Sequence, residues 1–290
     1  MVVTFPRIVL SEFNTHRMFS RNSASSRAIP VQKQLERIRE NPFIPTYWGA
    51  AQKGMQAHGE LTPAHQQEAR KAWLVARDEA VKQVELMLDI GLHKQLTNRI
   101  LEPFMWHTVI VTATEWSNFF ALRVNPDAQP EIRTIAEMML SAYRSSTPTL
   151  VREGQWHLPL VQPDEYDGAF ELSDVARRVS AARCARVSYL THDGRRDHSA
   201  DLTLYDRLVS GGHMSPLEHV ARPMSSAEQT VSWRIDQTIR HVGREQGLDE
   251  QAIWTMQEAT TFSGNFRGWV QLRKTVAGEH NFGLCEKESN

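Results

Sequence analysis

Residues 62 to 91 constrain the fold most. Thr62 suits a helix cap and Pro63 suits the first helical position. Trp73, Ala76, Ala80, Val84, Met87 and Leu88 then recur at three- and four-residue spacings, and Gly91 follows. The pattern predicts a long amphipathic helix whose apolar stripe other elements must cover.

Other segments extend the reading. Residues 30 to 40 predict a short helix with Pro30 at its start. Residues 93 to 101 and the run SNFFALRV predict two more. Asp127 to Tyr143 is amphipathic through Ile132, Ile135, Ala136, Met139, Leu140 and Tyr143, with Pro130 in its first turn. SDVARRVSAARCARVSY predicts a helix up to its last few residues, and residues 199 to 211 a helix closed by glycines. SSAEQTVSWRIDQTIRHVGREQG predicts one polar helix or two, and SGNFRGWVQLRKTVAG another. MWHTVIVTATEW is β-branched and aromatic, which favours a strand. Residues 5 to 14 fit either a strand or a short helix. NPFIPTYWG reads as loop, and residues 145 to 170 as loop with short strands. No repeat or low-complexity linker divides the chain. The expected fold class is α+β, a single domain over residues 1–290 with mixed sheet and helices.

Bulk properties exclude several function classes. Of 290 residues, 41% are hydrophobic, enough for a real core. A net charge of -1 gives no global field for nucleic acid or membrane. The two cysteines, Cys184 and Cys285, form no CxxC and no framework. That predicts a reducing, cytoplasmic setting and no metal site. The N-terminus has no basic n-region or cleavage site, and no apolar run approaches membrane-span length.

Several stretches carry chemistry-bearing residues. THRMFSRNSASSR, residues 15 to 27, concentrates Arg17, Arg21 and Arg27 with Ser20, Ser25 and Ser26. Guanidinium forks, hydroxyls and turn amides suit phosphate, and a solvated polar loop is the bland alternative. Arg123 stands just before a Pro-marked break, where it would either act or pair with a carboxylate at a helix end. His213 and His219 flank a Ser-Pro turn without the spacing of a zinc helix, so a structural histidine is the default. Arg267, Trp269, Arg273 and Lys274 interleave base and aromatic, which suits a nucleotide, a nucleic acid or a plain surface helix.

Taken together, these segments resemble the flavin-dependent thymidylate synthases. THRMFSRNSASSR is similar to that family's RHRxxSxNExSxR through His16, Arg17, Ser20, Asn22, Ser25 and Arg27. NFFALRVNPDAQPEIR resembles NFLxLRxxxxAQxEIR, and NRILEP resembles ARxxLP. CARVSY and GGHMSPLEH resemble AARVSY and GHxSPFEH. The last two precede the signature in the family and follow it here, so the segment order looks circularly permuted.

The resemblance implies transfer of a one-carbon unit from methylenetetrahydrofolate to C5 of a deoxypyrimidine monophosphate. dUMP to dTMP is the expected reaction, with FAD and NADPH and no cysteine nucleophile. It implies cofactor contacts at His16, Arg17, Asn22, Asn118, Ser188 and His219. It implies substrate contacts at Glu12, Ser25, Arg27, Arg99 and Arg123, with Arg99 and Arg123 also catalytic. It further implies a homo-oligomer, a tetramer, with no membrane or nucleic-acid partner.

The chain departs from the family pattern at Glu12, Thr15, Ser23 and Asp127, and at Thr112 and Thr114. Losing an arginine and gaining a carboxylate near a phosphate weakens dUMP binding unless Arg21, Arg267 or Arg273 compensates. A carboxylate also accepts from the exocyclic amine of cytosine. dCMP as substrate, and a 5-hydroxymethyl product, therefore stand as alternatives. So do a flavoprotein oxidoreductase without methyl transfer and a non-enzymatic nucleic-acid-binding module.

Overall fold

The N-terminal stretch that fitted either strand or helix contains both. In the computed structural model, which describes residues 1–165, 173–187, 196–253 and 264–279, strand β1 is Val2–Pro6. One 3-10 turn, Arg7–Val9, leads into helix α1, Leu10–Asn14. β2, Ser20–Ser23, and β3, Trp106–Thr112, complete a three-stranded antiparallel sheet in the order β1-β3-β2. Val2 faces Ile110 in one register, and Ser20 faces Thr112 in the other.

Alternation along β3 gives the sheet two different faces. Val109 and Val111 enter a core with Phe5, Val9, Phe13 and Phe19. Helices α5, Ser117–Arg123, and α6, Pro130–Ser145, close that core with Phe119, Ile132, Ala136 and Met139. Ile110 points the other way, against Cys184 and Val187 of helix α7, Asp174–Val187.

Helix α3 runs over Pro63–Asp89 as its pattern predicts. The Thr62 side chain accepts the His65 backbone N–H at 3.4 Å. Gly91 adopts φ 81°, the left-handed conformation that glycine supplies without a Cβ clash. Trp73, Ala80, Val81, Val84 and Leu88 pack on helix α2, Val31–Glu40, and on Leu101, Phe104 and Met105. α4, Lys94–Ile100, follows.

A further core surrounds Trp156, Leu158, Val179, Leu217, Val220 and Leu272. It joins α7 to helix α8, His198–Ser210, and to a two-stranded ribbon of β4, Ala221–Pro223, and β5, Trp269–Gln271. Helix α9, Ser226–Glu245, is one helix, opened by a capping box between Ser225 and Glu228. The fold class is the expected α+β mixture of small sheets and helices. No helix among the described residues is long and apolar enough to cross a membrane.

Two expectations need correction. Residues 264–279 are not a helix. β5 pairs with β4 there and a 3-10 turn, Leu272–Thr275, follows. Gly264 and Gly268 sit at φ 65° and 73°, which interrupts helical geometry, and Val270 and Gln271 gain ladder bonds instead. The short strands expected in 145–170 reduce, among the described residues, to one bridge between His157 and Ala221.

Candidate functional site

The turn after α1 places His16 under α5. The imidazole is buried and meets the Phe119 ring edge-on, with centroids 4.9 Å apart. Arg123, at the end of α5, donates from Nε to His16 Nε2 at 2.9 Å. Its Nη2 donates to the Thr15 hydroxyl at 3.1 Å and to the Glu12 carbonyl at 3.3 Å. Burial, then the charges of Arg123 and Arg21, pull the His16 pKa down to about 4. His16 is thus neutral at pH 7, and because Nε2 accepts, Nδ1 carries the proton.

An open cleft of about 430 Å³ borders this pair. Its walls include His16, Arg17, Asn118, Trp116, Phe120 and Tyr143. Trp116 and Phe120 stack at 19° with centroids 6.0 Å apart. Aromatic walls with a guanidinium and an amide at the rim suit a planar heterocycle carrying phosphate, and the volume lies within the roughly 300–1,000 Å³ usual for small-molecule sites. The donor set therefore fits a flavin.

At the other end of β2 a second group of donors gathers. Glu102 Oε1 accepts from Arg7 at 2.9 Å, from Arg99 at 2.8 Å and from the Ser26 hydroxyl at 2.8 Å. Arg27 follows in the chain, with its backbone N–H on the Ser25 hydroxyl at 3.3 Å. Arg7 also meets His107 Nδ1 at 2.9 Å. Burial, then Arg7, lowers the His107 pKa to about 4.

The segments that stand out of family order return to the same sheet. Asn22 of β2 donates to the Cys184 carbonyl of α7 at 2.8 Å. His219 Nδ1 meets the Thr112 hydroxyl of β3 at 2.9 Å. Gln271 donates to the Ser20 hydroxyl and to the Glu218 carbonyl, both at 2.9 Å. His219 is fully buried, its Nε2 has no hydrogen-bond partner among the described residues, and burial holds its pKa at about 3.

The structure thus joins the Glu12 carbonyl, His16 and Arg123, and brings Arg17 and Asn118 to one cleft with His16. It sets Ser25, Arg27 and Arg99 at the far end of β2. Asn22 faces α7, and His219, in the turn before β4, faces Thr112 of β3. Ser188 and Cys285 lie outside the described residues. Arg21 is directed to the Phe13 carbonyl, Arg267 to Glu115, and Arg273 to Glu218 and Glu279. The Glu12 carboxylate accepts from Ser11 at 2.7 Å.

Sequence reasoning missed Glu102, Arg7, Trp116 and Tyr143. Glu102 had a usable signal, since it stands where ARxxLP has leucine. The aromatic wall had none, because Tyr143 reaches Trp116 only through the packing of α6 on α5.

The family described as thymidylate synthase complementing protein matches residues 1–149. That is just over half of the 290 residues. The chain belongs to this family, the flavin-dependent thymidylate synthases. The match covers both donor groups and ends before α7. Among solved structures, it is similar to a UMP/dUMP methylase, PolB from Streptomyces cacaoi, bound with 5-Br dUMP. Identity there is 23% and TM-score 0.37, covering 49% of this chain and 63% of that one. With 5-Br UMP bound, the same methylase gives 18% identity and TM-score 0.39, covering 49% and 66%. The chain therefore spans just under two thirds of each. No curated protein matches.

Proposed function

We propose that this protein transfers a one-carbon unit from methylenetetrahydrofolate to C5 of a deoxypyrimidine monophosphate, converting dUMP to dTMP. The observation that carries this reading is the Arg123–His16 pair beside the aromatic cleft, within the segment that matches the family. FAD, reduced by NADPH, would supply the hydride.

The residues divide the work. Arg17 and Asn118, on the cleft rim, would hold the cofactor with Asn22, Ser188 and His219. Arg123 is fixed at Nε and Nη2, and its Nη1 is the donor we assign to the pyrimidine ring. A fixed positive charge there stabilises enolate character as C5 becomes nucleophilic. Neutral His16 holds that charge in place without competing with it. Ser25, Arg27 and Arg99 would take the phosphate and Glu12 would border the substrate. Cys184 is fully buried, which pushes its thiol pKa up and leaves it unsuited as a nucleophile.

The family resemblance implies sites completed between subunits of a homo-oligomer, a tetramer. The packing of α7 and His219 on the N-terminal sheet supports one domain over 1–290, and the family resemblance implies a cytoplasmic enzyme without membrane or nucleic-acid partners. Thr15 in place of an arginine keeps dCMP and a 5-hydroxymethyl product as the second reading.

The test is an absorbance spectrum of the purified protein, followed by anaerobic NADPH addition with dUMP or dCMP and mass analysis of the products. Flavin bleached faster with dUMP, and dTMP formed, is the expected result. A product from dCMP moves the substrate. A protein that cannot take up FAD overturns the reading.

A further inference from the structure

Two polar side chains, Asn98 on α4 and Glu102 just after it, flank Arg99 and both reach the loop after β2. Asn98 is fully buried, and its Nδ2 donates to the Ser26 carbonyl at 2.6 Å and to the Ile29 carbonyl at 3.0 Å. Glu102, just past the helix, binds the Ser26 hydroxyl and the guanidinium groups of Arg7 and Arg99 through one oxygen. The family pattern ARxxLP has alanine and leucine at these two positions, and neither side chain makes such bonds. The clamp is therefore a property of this chain.

We propose that Asn98 and Glu102 are positioning residues that fix Ser25, Arg27 and Arg99 as one pre-formed cradle for the nucleotide's phosphate. This rests on the proposed reading that those residues hold a deoxypyrimidine monophosphate. Two carbonyl anchors from Asn98 hold the backbone across residues 26–29. Glu102 holds the Arg99 guanidinium by Nη1, so its other edge remains for a ligand. The Arg99 side chain is 48% exposed, and without the carboxylate it would have to be ordered when the ligand binds. The Glu102 carboxyl stays anionic: burial opposes this, but the Ser26 and Arg7 hydrogen bonds outweigh it and lower its pKa. Arg7 and Arg99 exceed the one carboxylate by one charge, which leaves the cluster positive toward a phosphate monoester.

The test compares dUMP with deoxyuridine, which lacks the phosphate, by calorimetric titration of the full chain with FAD present. The variants are Arg99→Ala, Glu102→Leu, Glu102→Asp and Asn98→Ala. Glu102→Leu should weaken dUMP roughly tenfold or more, as losing hydrogen bonds to a charged group does, and Asn98→Ala, which loses two bonds to neutral carbonyls, by roughly threefold to tenfold. Deoxyuridine binding should stay within about twofold, and Glu102→Asp should recover part of the loss. Equal loss for nucleotide and nucleoside would mean a merely structural role and overturn the proposal. If Asn98→Ala does not fold, Glu102→Leu decides. If Glu102→Leu binds dUMP like the parent while Arg99→Ala abolishes binding, the inference falls and the functional reading stands. If the parent binds neither compound, the functional reading falls and takes the inference with it.

Discussion

Arg123 Nε donates to His16 Nε2 at 2.9 Å across 107 residues of sequence. The bond fixes the imidazole tautomer and anchors the guanidinium beside His16, which lines the cleft. It also links the start of the arginine-rich signature to the end of α5, two stretches that sequence alone treats separately.

Arg123→Ala should therefore lower kcat/KM for the nucleotide by about a hundredfold or more, the scale of losing a preorganised charge at a reacting centre. Arg123→Lys should recover little, because an ammonium cannot reproduce the fork that spans His16, Thr15 and the Glu12 carbonyl. Steady-state kinetics on the two variants check this, and a lysine variant near parent activity would count against it.

Acid should weaken the fold before the carboxylates titrate. His16 and His107 have pKa values near 4, and His219 near 3, chiefly through burial. Unfolded histidine takes a proton near pH 6.5, so between there and 4 the unfolded state binds more protons. Stability then rises with pH across that window and is lost as pH falls, by up to about 1.4 kcal/mol per histidine per unit. Glu165 and Glu228, with pKa values near 2, add their loss only below the ordinary carboxylate range. Urea midpoints at pH 7, 6, 5 and 4.5 test the order, and a flat profile down to 5 would refute it.

A buried ion cluster ties α7 to α8. Arg183 bridges Glu165 at 2.7 Å and Asp201 at 3.0 Å, and all three side chains are nearly inaccessible. Arg183→Ala would leave Asp201 to Arg186, at 2.8 Å, and Glu165 to His198, at 3.0 Å, and should destabilise by up to about 3 kcal/mol, the low end of the cost of breaking a buried pair. Replacing a cluster by well-packed apolar groups is a different experiment and can be neutral. Denaturant titration gives the number, and a loss below about 1 kcal/mol would show that the cluster is solvated.

Cys184→Ala should keep kcat close to the parent value and lower stability by about 1 kcal/mol, the scale of a small core deletion. The native Cys184 thiol should resist alkylation until urea is added. A large fall in kcat in a folded alanine variant would reopen cysteine chemistry.

The local pattern announced much of the fold. Thr62 with Pro63, the Trp73 to Leu88 stripe and Gly91 mark α3 because cap, period and C-terminal glycine act within a few residues. The strand at Trp106–Thr112 was legible from its β-branched run. The 264–279 segment was misread because its composition suits a helix, while its pairing partner β4 lies more than forty residues away. β-pairing is non-local, so no local pattern contains it.

The site follows the same division. Sequence by itself determined which donors exist, and the family resemblance grouped His16, Arg27, Arg99 and Arg123 as a set. Tertiary structure decided which of them meet. It paired Arg123 with His16, set Arg99 against Glu102, and brought the segments displaced in family order onto the sheet through Asn22–Cys184 and His219–Thr112. The physical reason is that a hydrogen bond or a buried contact depends on distance in space. Spacing along a chain fixes that distance only within one helix turn or one strand.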